Sequence, residues 1–144
     1  MRYSLPQPYR DLDHTADVGV AVEGASPEEA LARLVLAYAA LLSGNAPVDV
    51  ERDERVAVTA DRGGPDLAVA LLRELLFRFA VERVLPGACE VTLLAPERAE
   101  VTVGFGRYDP ERHDGFDLKA VTRHAARFER GEEGVWRAQV VFDV

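Results

Sequence analysis

Apolar residues recur along this chain at two different periods. Val18, Val20 and Val22 alternate with other positions over residues 17–23, which predicts a strand with one buried face. From residue 30 the spacing changes to three and four: Ala30, Leu31, Leu34, Val35, Tyr38, Leu41 and Leu42 fall on one side of a helix. Ser26 is a good N-cap, Pro27 suits the first helical position and Glu29 completes a capping box. Ser43-Gly44-Asn45 stops the helix. Alternation returns over residues 55–61, and Arg62-Gly63-Gly64-Pro65 reads as a turn. A second helix then carries Leu67, Leu71, Leu72, Leu75, Leu76 and Phe79, and Pro86-Gly87 is expected to end it. Residues 89–94 and 100–105 read as short strands joined around Pro96, and residues 106–115 as a polar loop. Residues 117–130 and 135–144 form a hairpin across the turn at 131–134.

The order β-α-β-α-β-β-β-β predicts an α+β fold. Two helices would pack on one face of a mixed or mostly antiparallel sheet. The 144 residues suit a single domain spanning 1–144.

Charge and cysteine usage narrow the functions. The net charge of −8 argues against a protein that coats nucleic acid. The lone Cys89 shares parity with Val91 and Leu93 and reads as a small core residue. One cysteine, no signal pattern and no apolar run of roughly 18 residues point to a cytoplasmic protein that does not enter the membrane. Of 17 basic residues only Lys119 is lysine.

Candidate chemistry concentrates at the two ends. Asp11, Asp13, His14 and Asp17 crowd the mouth of the first strand, with Asp17 off its valine face. The last strand ends Phe142-Asp143-Val144, so Val144 would offer a terminal carboxylate beside Asp143. If the first and last strands approach, these oxygens converge into a set that suits Ca²⁺ or Mg²⁺. Turn chemistry and simple solvation explain the same residues equally simply. His14, His113 and His124 lack zinc-ligand spacing, no phosphate-binding loop occurs, and no complete catalytic constellation is present. Lys119, Arg123 and Arg127 share parity with Val121, and with Arg130 and Arg137 they make the last hairpin less acidic than the rest. That face is either solvated or a small docking patch for RNA or an acidic partner.

Four stretches taken together resemble the archease family: DHTADVGV (13–20), DLAVALLRELLFRF (66–79), YDPERH (108–113), and LKAVTRHAARFER with WRAQVVFDV (118–130 and 136–144). The resemblance covers essentially the whole chain. It implies an accessory protein, not an enzyme. Its partner would be the RNA ligase that joins 3′-phosphate and 5′-hydroxyl ends in tRNA splicing and RNA repair. The accessory role is to promote guanylylation and multiple turnover of the ligase, with RNA contacted indirectly through it. It also implies a divalent cation, Ca²⁺ or another such as Mg²⁺ or Mn²⁺, at an acidic tip. Carried over by position, Asp17 belongs to the H-T-A-D motif, Asp143 to V-V-F-D, and Val144 supplies the terminal carboxylate. Asp13 ranks below them, Lys119 stands at the lysine of K-A-V-T, and His14 lies within the same N-terminal motif. Two departures from the family pattern, Arg123 in place of an aromatic residue and Ala125-Ala126-Arg127 in place of a glycine-containing stretch, touch the docking surface. Two readings from other classes stand beside this one. A general chaperone or interaction module follows from the apolar helix faces, and a small metal-dependent phosphoester hydrolase from the acids.

Overall fold

A computed structural model describes residues 1–13 and 17–144. The described residues form eight strands and two α-helices. In chain order these are β1 (Arg2–Ser4), β2 (Arg10–Asp13), β3 (Asp17–Gly24), α1 (Pro27–Ser43), β4 (Val50–Thr59), α2 (Gly64–Glu82), β5 (Val84–Ala95), β6 (Arg98–Arg107), β7 (Ala120–Arg130) and β8 (Trp136–Asp143), with a short 3-10 turn between β7 and β8. From β3 onward this is the expected order, and the class is α+β.

The strands divide into two antiparallel four-stranded sheets, β1-β5-β6-β4 and β2-β3-β8-β7, where the periodicity had suggested one. The reason lies in α1. Its expected stripe is buried, but so are Ala32, Leu36, Ala37, Ala39 and Ala40. A helix apolar on every side needs cover on every side. It packs on β3 and β8 of one sheet and on β5 of the other. The alanines let both sheets approach closely. By contrast α2 buries one face, through Leu67, Leu71, Leu72, Leu75 and Phe79, and leaves Phe77 and Val81 exposed.

The start of α1 follows its sequence with one shift. Ser26 Oγ accepts the Glu29 N–H at 3.1 Å. The Glu29 carboxylate reaches back one residue further than a capping box requires and accepts the Ala25 N–H at 2.8 Å. It also accepts the Tyr3 hydroxyl at 2.9 Å, which ties β1 to the helix. These bonds, Ala25 first and Tyr3 second, hold the Glu29 carboxyl below its ordinary range. A depressed carboxylate contributes stability that is complete above its unfolded pKa and is lost as pH falls through the folded value. Glu29→Gln should therefore cost about 1 kcal/mol at neutral pH. That cost should shrink in acid urea titrations as the wild-type carboxylate is protonated.

Two further differences have local causes. Pro86-Gly87 does not end α2. The helix stops at Arg83, which takes the left-handed cap conformation (φ 56°), and Pro86-Gly87 lies inside β5. There Pro86 faces Phe105 and Ala88 faces Gly104, so Gly87 is the extra residue of a bulge, where a proline is tolerated. The hairpin β7–β8 is also irregular. Thr122 faces Val141 but Arg127 faces Gln139, so three extra residues are accommodated on β7, with Ala125 at φ 56°.

Candidate functional site

Strand pairing brings the two ends of the predicted site together. Asp17 opens β3, Asp143 closes β8, and the two are direct partners in the antiparallel register. Such partners share one face with their Cβ atoms roughly 5 Å apart. Ala120 of β7 faces Asp143 from the other side. The Lys119 N–H donates to the Asp143 carbonyl at 2.8 Å, so the lysine is anchored at the same strand end. Asp17 is half-buried, while Asp143, Lys119 and Val144 are exposed. The tip stands directly on the core. Val18 and Phe142, the next pair along, face the helices, and Phe142 is fully buried against Tyr38 with ring centroids 6.0 Å apart.

Two carboxylates held face to face repel, and like charges directly opposite one another destabilise a sheet. A hard divalent cation reverses the sign of that interaction, and an all-oxygen donor pair suits Ca²⁺, Mg²⁺ or Mn²⁺. The residues present fit such a cation as part of its shell. Among the described residues no group of three or more His, Cys, Asp or Glu is placed to hold a metal. Asp13 closes β2, and its backbone pairs with Val18, one residue from Asp17. The side chain of Asp13, and all of His14, lie outside the described residues.

The remaining candidates resolve into structural roles. Cys89 is fully buried, and burial pushes its thiol up to about 12, which suits core packing and not nucleophilic chemistry. His113 is buried as a loop pin: its Nδ1 accepts the Asp109 N–H at 2.9 Å and its Nε2 lies 2.9 Å from the Pro47 carbonyl. His124 is exposed on β7. Arg123 pairs with Asp66 of α2. The shared parity of Arg127 with Val121 fails, because the odd number of extra residues between Thr122 and Arg127 flips the strand. Val121 is buried towards the helices, while Arg127 lies across from Gln139 on the opposite face. The apolar helix stripes behind the interaction-module reading pack into the core, and the exposed Phe77 and Val81 lie outside them.

The sequence missed a grouping of arginines. Arg10, Arg33, Arg127 and Arg137 line one cleft although they come from four elements. Only Arg127 and Arg137 stand on the hairpin that the charge pattern singled out. No local spacing reports the other two.

Residues 9–144 match the Archease protein family. Protein archease of Methanopyrus kandleri is 34% identical over 145 residues, covering 95% of this chain and 99% of that protein. Protein archease of Pyrococcus furiosus is 31% identical, covering 94% and 98%. The solution structure of protein 1598 from Methanobacterium thermoautotrophicum superposes with a TM-score of 0.75 at 23% identity, over 94% of this chain and 98% of that one, and so shares the fold. No described helix is long and apolar enough to cross a membrane. The family match over residues 9–144 and the near-complete span of these relatives lead to one assignment: the chain belongs to the archease family.

Proposed function

We propose that this protein is an accessory factor of the RNA ligase that joins 3′-phosphate to 5′-hydroxyl ends, acting through its acidic tip. The observation that supports the reading most is the pairing of Asp17 with Asp143 beside Lys119, in a chain of this family. Asp17 and Asp143 would hold a divalent cation, Ca²⁺ first, with Asp13 and the carboxylate of Val144 completing the donor set. Bound there, the cation supplies a concentrated positive charge that can be presented to a phosphate or to a ligase carboxylate. The chain's own part is positional. Two strands and a buried aromatic pair fix the carboxylates, and Lys119 adds an ammonium point charge at the rim. This arrangement would favour guanylylation of the ligase and its repeated turnover. No joining chemistry is assigned to the chain itself.

The direct test is RNA joining with the ligase limiting and RNA in excess. With this protein present, product should exceed one equivalent per ligase several-fold. Without it, product should stall near one equivalent. An active ligase that gains nothing from the added protein would overturn the proposal.

A further inference from the structure

The sheet β2-β3-β8-β7 carries a second feature that the acidic tip does not use, an open cleft of about 400 Å³. Arg10, Arg33, Arg127 and Arg137 line it against, among the described residues, a single acid, Glu23, in a chain whose net charge is −8. The register explains its shape. Arg10 faces Ala21, Ala21 faces Gln139, and Gln139 faces Arg127, so one row crosses four strands. Its outer Cα atoms lie roughly 14 Å apart. Ala21 is too short to fill the middle. The Gln139 amide is turned away, donating to the Ala125 carbonyl of the bulge at 2.8 Å. The row is a trough with a long cationic side chain on each bank.

The four arginines are not equally committed. Arg33 is consumed by the fold, donating to Gln7 Oε1 at 3.2 Å and to the Glu23 carbonyl at 2.9 Å. Arg137 reaches the Glu23 carboxylate at 3.4 Å. Among the described residues Arg127 has only Glu129, at 3.9 Å with both side chains more than half exposed. Arg10 makes no ion pair with the described residues. Two guanidinium forks therefore face one trough with their donors unspent.

We infer that this cleft binds a phosphate ester of nucleotide size, clamped between Arg10 and Arg127. A guanidinium fork matches two oxygens of an anion at once. A carboxylate can itself take two arginines, as Glu100 does with Arg55 and Arg98, but it brings two oxygens and one charge. A terminal phosphate brings three acceptor oxygens and close to two charges, and so suits a fork from each bank better. The volume falls in the range of small-ligand sites. The half-buried Tyr9, its hydroxyl fixed on Asn45 Oδ1 at 3.0 Å, adds an aromatic wall. The bulge in β7 is the device that turns Arg127 to this face. The inference does not rest on the ligase reading, since it uses neither the acidic tip nor a partner.

The test is calorimetric titration of the intact protein at low salt with five probes. These are adenosine 5′-monophosphate, adenosine, a short RNA with a terminal phosphate, the same RNA without one, and a glutamate-rich peptide. Binding of the phosphate-bearing probes, at least about tenfold tighter than their phosphate-free partners and weakening with salt, is expected. Response to the monophosphate marks a free nucleotide as the source, and response to the phosphorylated RNA alone marks an RNA end. The double variant Arg10→Gln, Arg127→Gln should lose about tenfold or more, and the double variant Arg62→Gln, Arg107→Gln, a charge-matched change outside the cleft, should lose nothing. Arg10 and Arg127 are exposed, so an unchanged melting curve is the accompanying check. Binding indifferent to the phosphate, equal binding by the double variant, or a peptide that binds as tightly as the phosphate probes would each overturn the inference.

Discussion

Exchanging Asp143 for asparagine should abolish the response of the protein to calcium while leaving the fold intact. Asp143 is exposed at the end of β8 and its side chain supports no core contact, so the substitution removes charge and little else. Its effect has two signs. Without a divalent cation, Asp17 and Asp143 oppose each other across the pair, a repulsion worth roughly 0.2–1 kcal/mol. Neutralising one of them should raise the melting temperature slightly, by about 1–3 °C. With calcium the order should invert. The wild type should gain roughly 2–3 kcal/mol at a cation concentration of about a hundred times its Kd, and the variant should gain almost nothing. Asp17→Asn should behave alike, and the double variant should lose no more than either single one, because one shared ion is being removed. Stimulation of the ligase should fall with the calcium response in each variant. Melting curves of the three variants with and without calcium read the site independently of any ligase. A calcium response that survives Asp143→Asn would falsify the tip as the cation site, whatever the ligase assay shows.

Why the acids could be named from the sequence while the arginines could not is a matter of distance along the chain and of parity. Asp17 reveals itself because it opens an alternating strand on the parity opposite to three valines, and Asp143 because it ends another such strand. The step from two strand ends to one site needed the β3–β8 register, which alternation alone does not specify. Helix α1 was legible down to its cap, since Ser26, Pro27 and Glu29 act within one turn. Its second apolar face was present in the alanines, but alanine is too common in helices to announce a second sheet. β1 and β2 are three and four residues long and carry Arg2, Arg10, Asp11 and Asp13, a composition typical of edge strands and of loops alike. Pro86-Gly87 misled because the same dipeptide serves as a breaker and as a bulge. The bulge between Thr122 and Arg127 leaves no mark in the alternation before it, yet it decides which face every later residue of β7 occupies.

The largest loss of stability is expected one residue before the site, at Phe142. Its ring is fully buried, stacked on Tyr38 of α1, and its backbone partners are Val18 and Val121, so it joins three strands to the central helix. Phe142→Ala removes the ring and leaves a void that a closely packed interior closes only in part, a change that costs about 3–5 kcal/mol. For a domain of this size that corresponds to a fall in melting temperature of roughly 10 °C or more. The void opens around Tyr38, whose hydroxyl is buried without a hydrogen-bond partner among the described residues. Phe142→Leu, which keeps most of the volume, should lose markedly less. Urea unfolding of the two variants gives the comparison directly. A Phe142→Ala protein as stable as wild type would mean that the tip does not stand on this aromatic pair. The same substitution also separates support from ligation. In Phe142→Ala, calcium affinity should weaken in proportion to the loosening of the strand ends and recover in Phe142→Leu, whereas in Asp143→Asn affinity is lost with stability retained. On the proposed reading, two neighbouring residues on opposite faces of one strand would act on the same site by different physics, one by holding the carboxylate in place and the other by being the carboxylate.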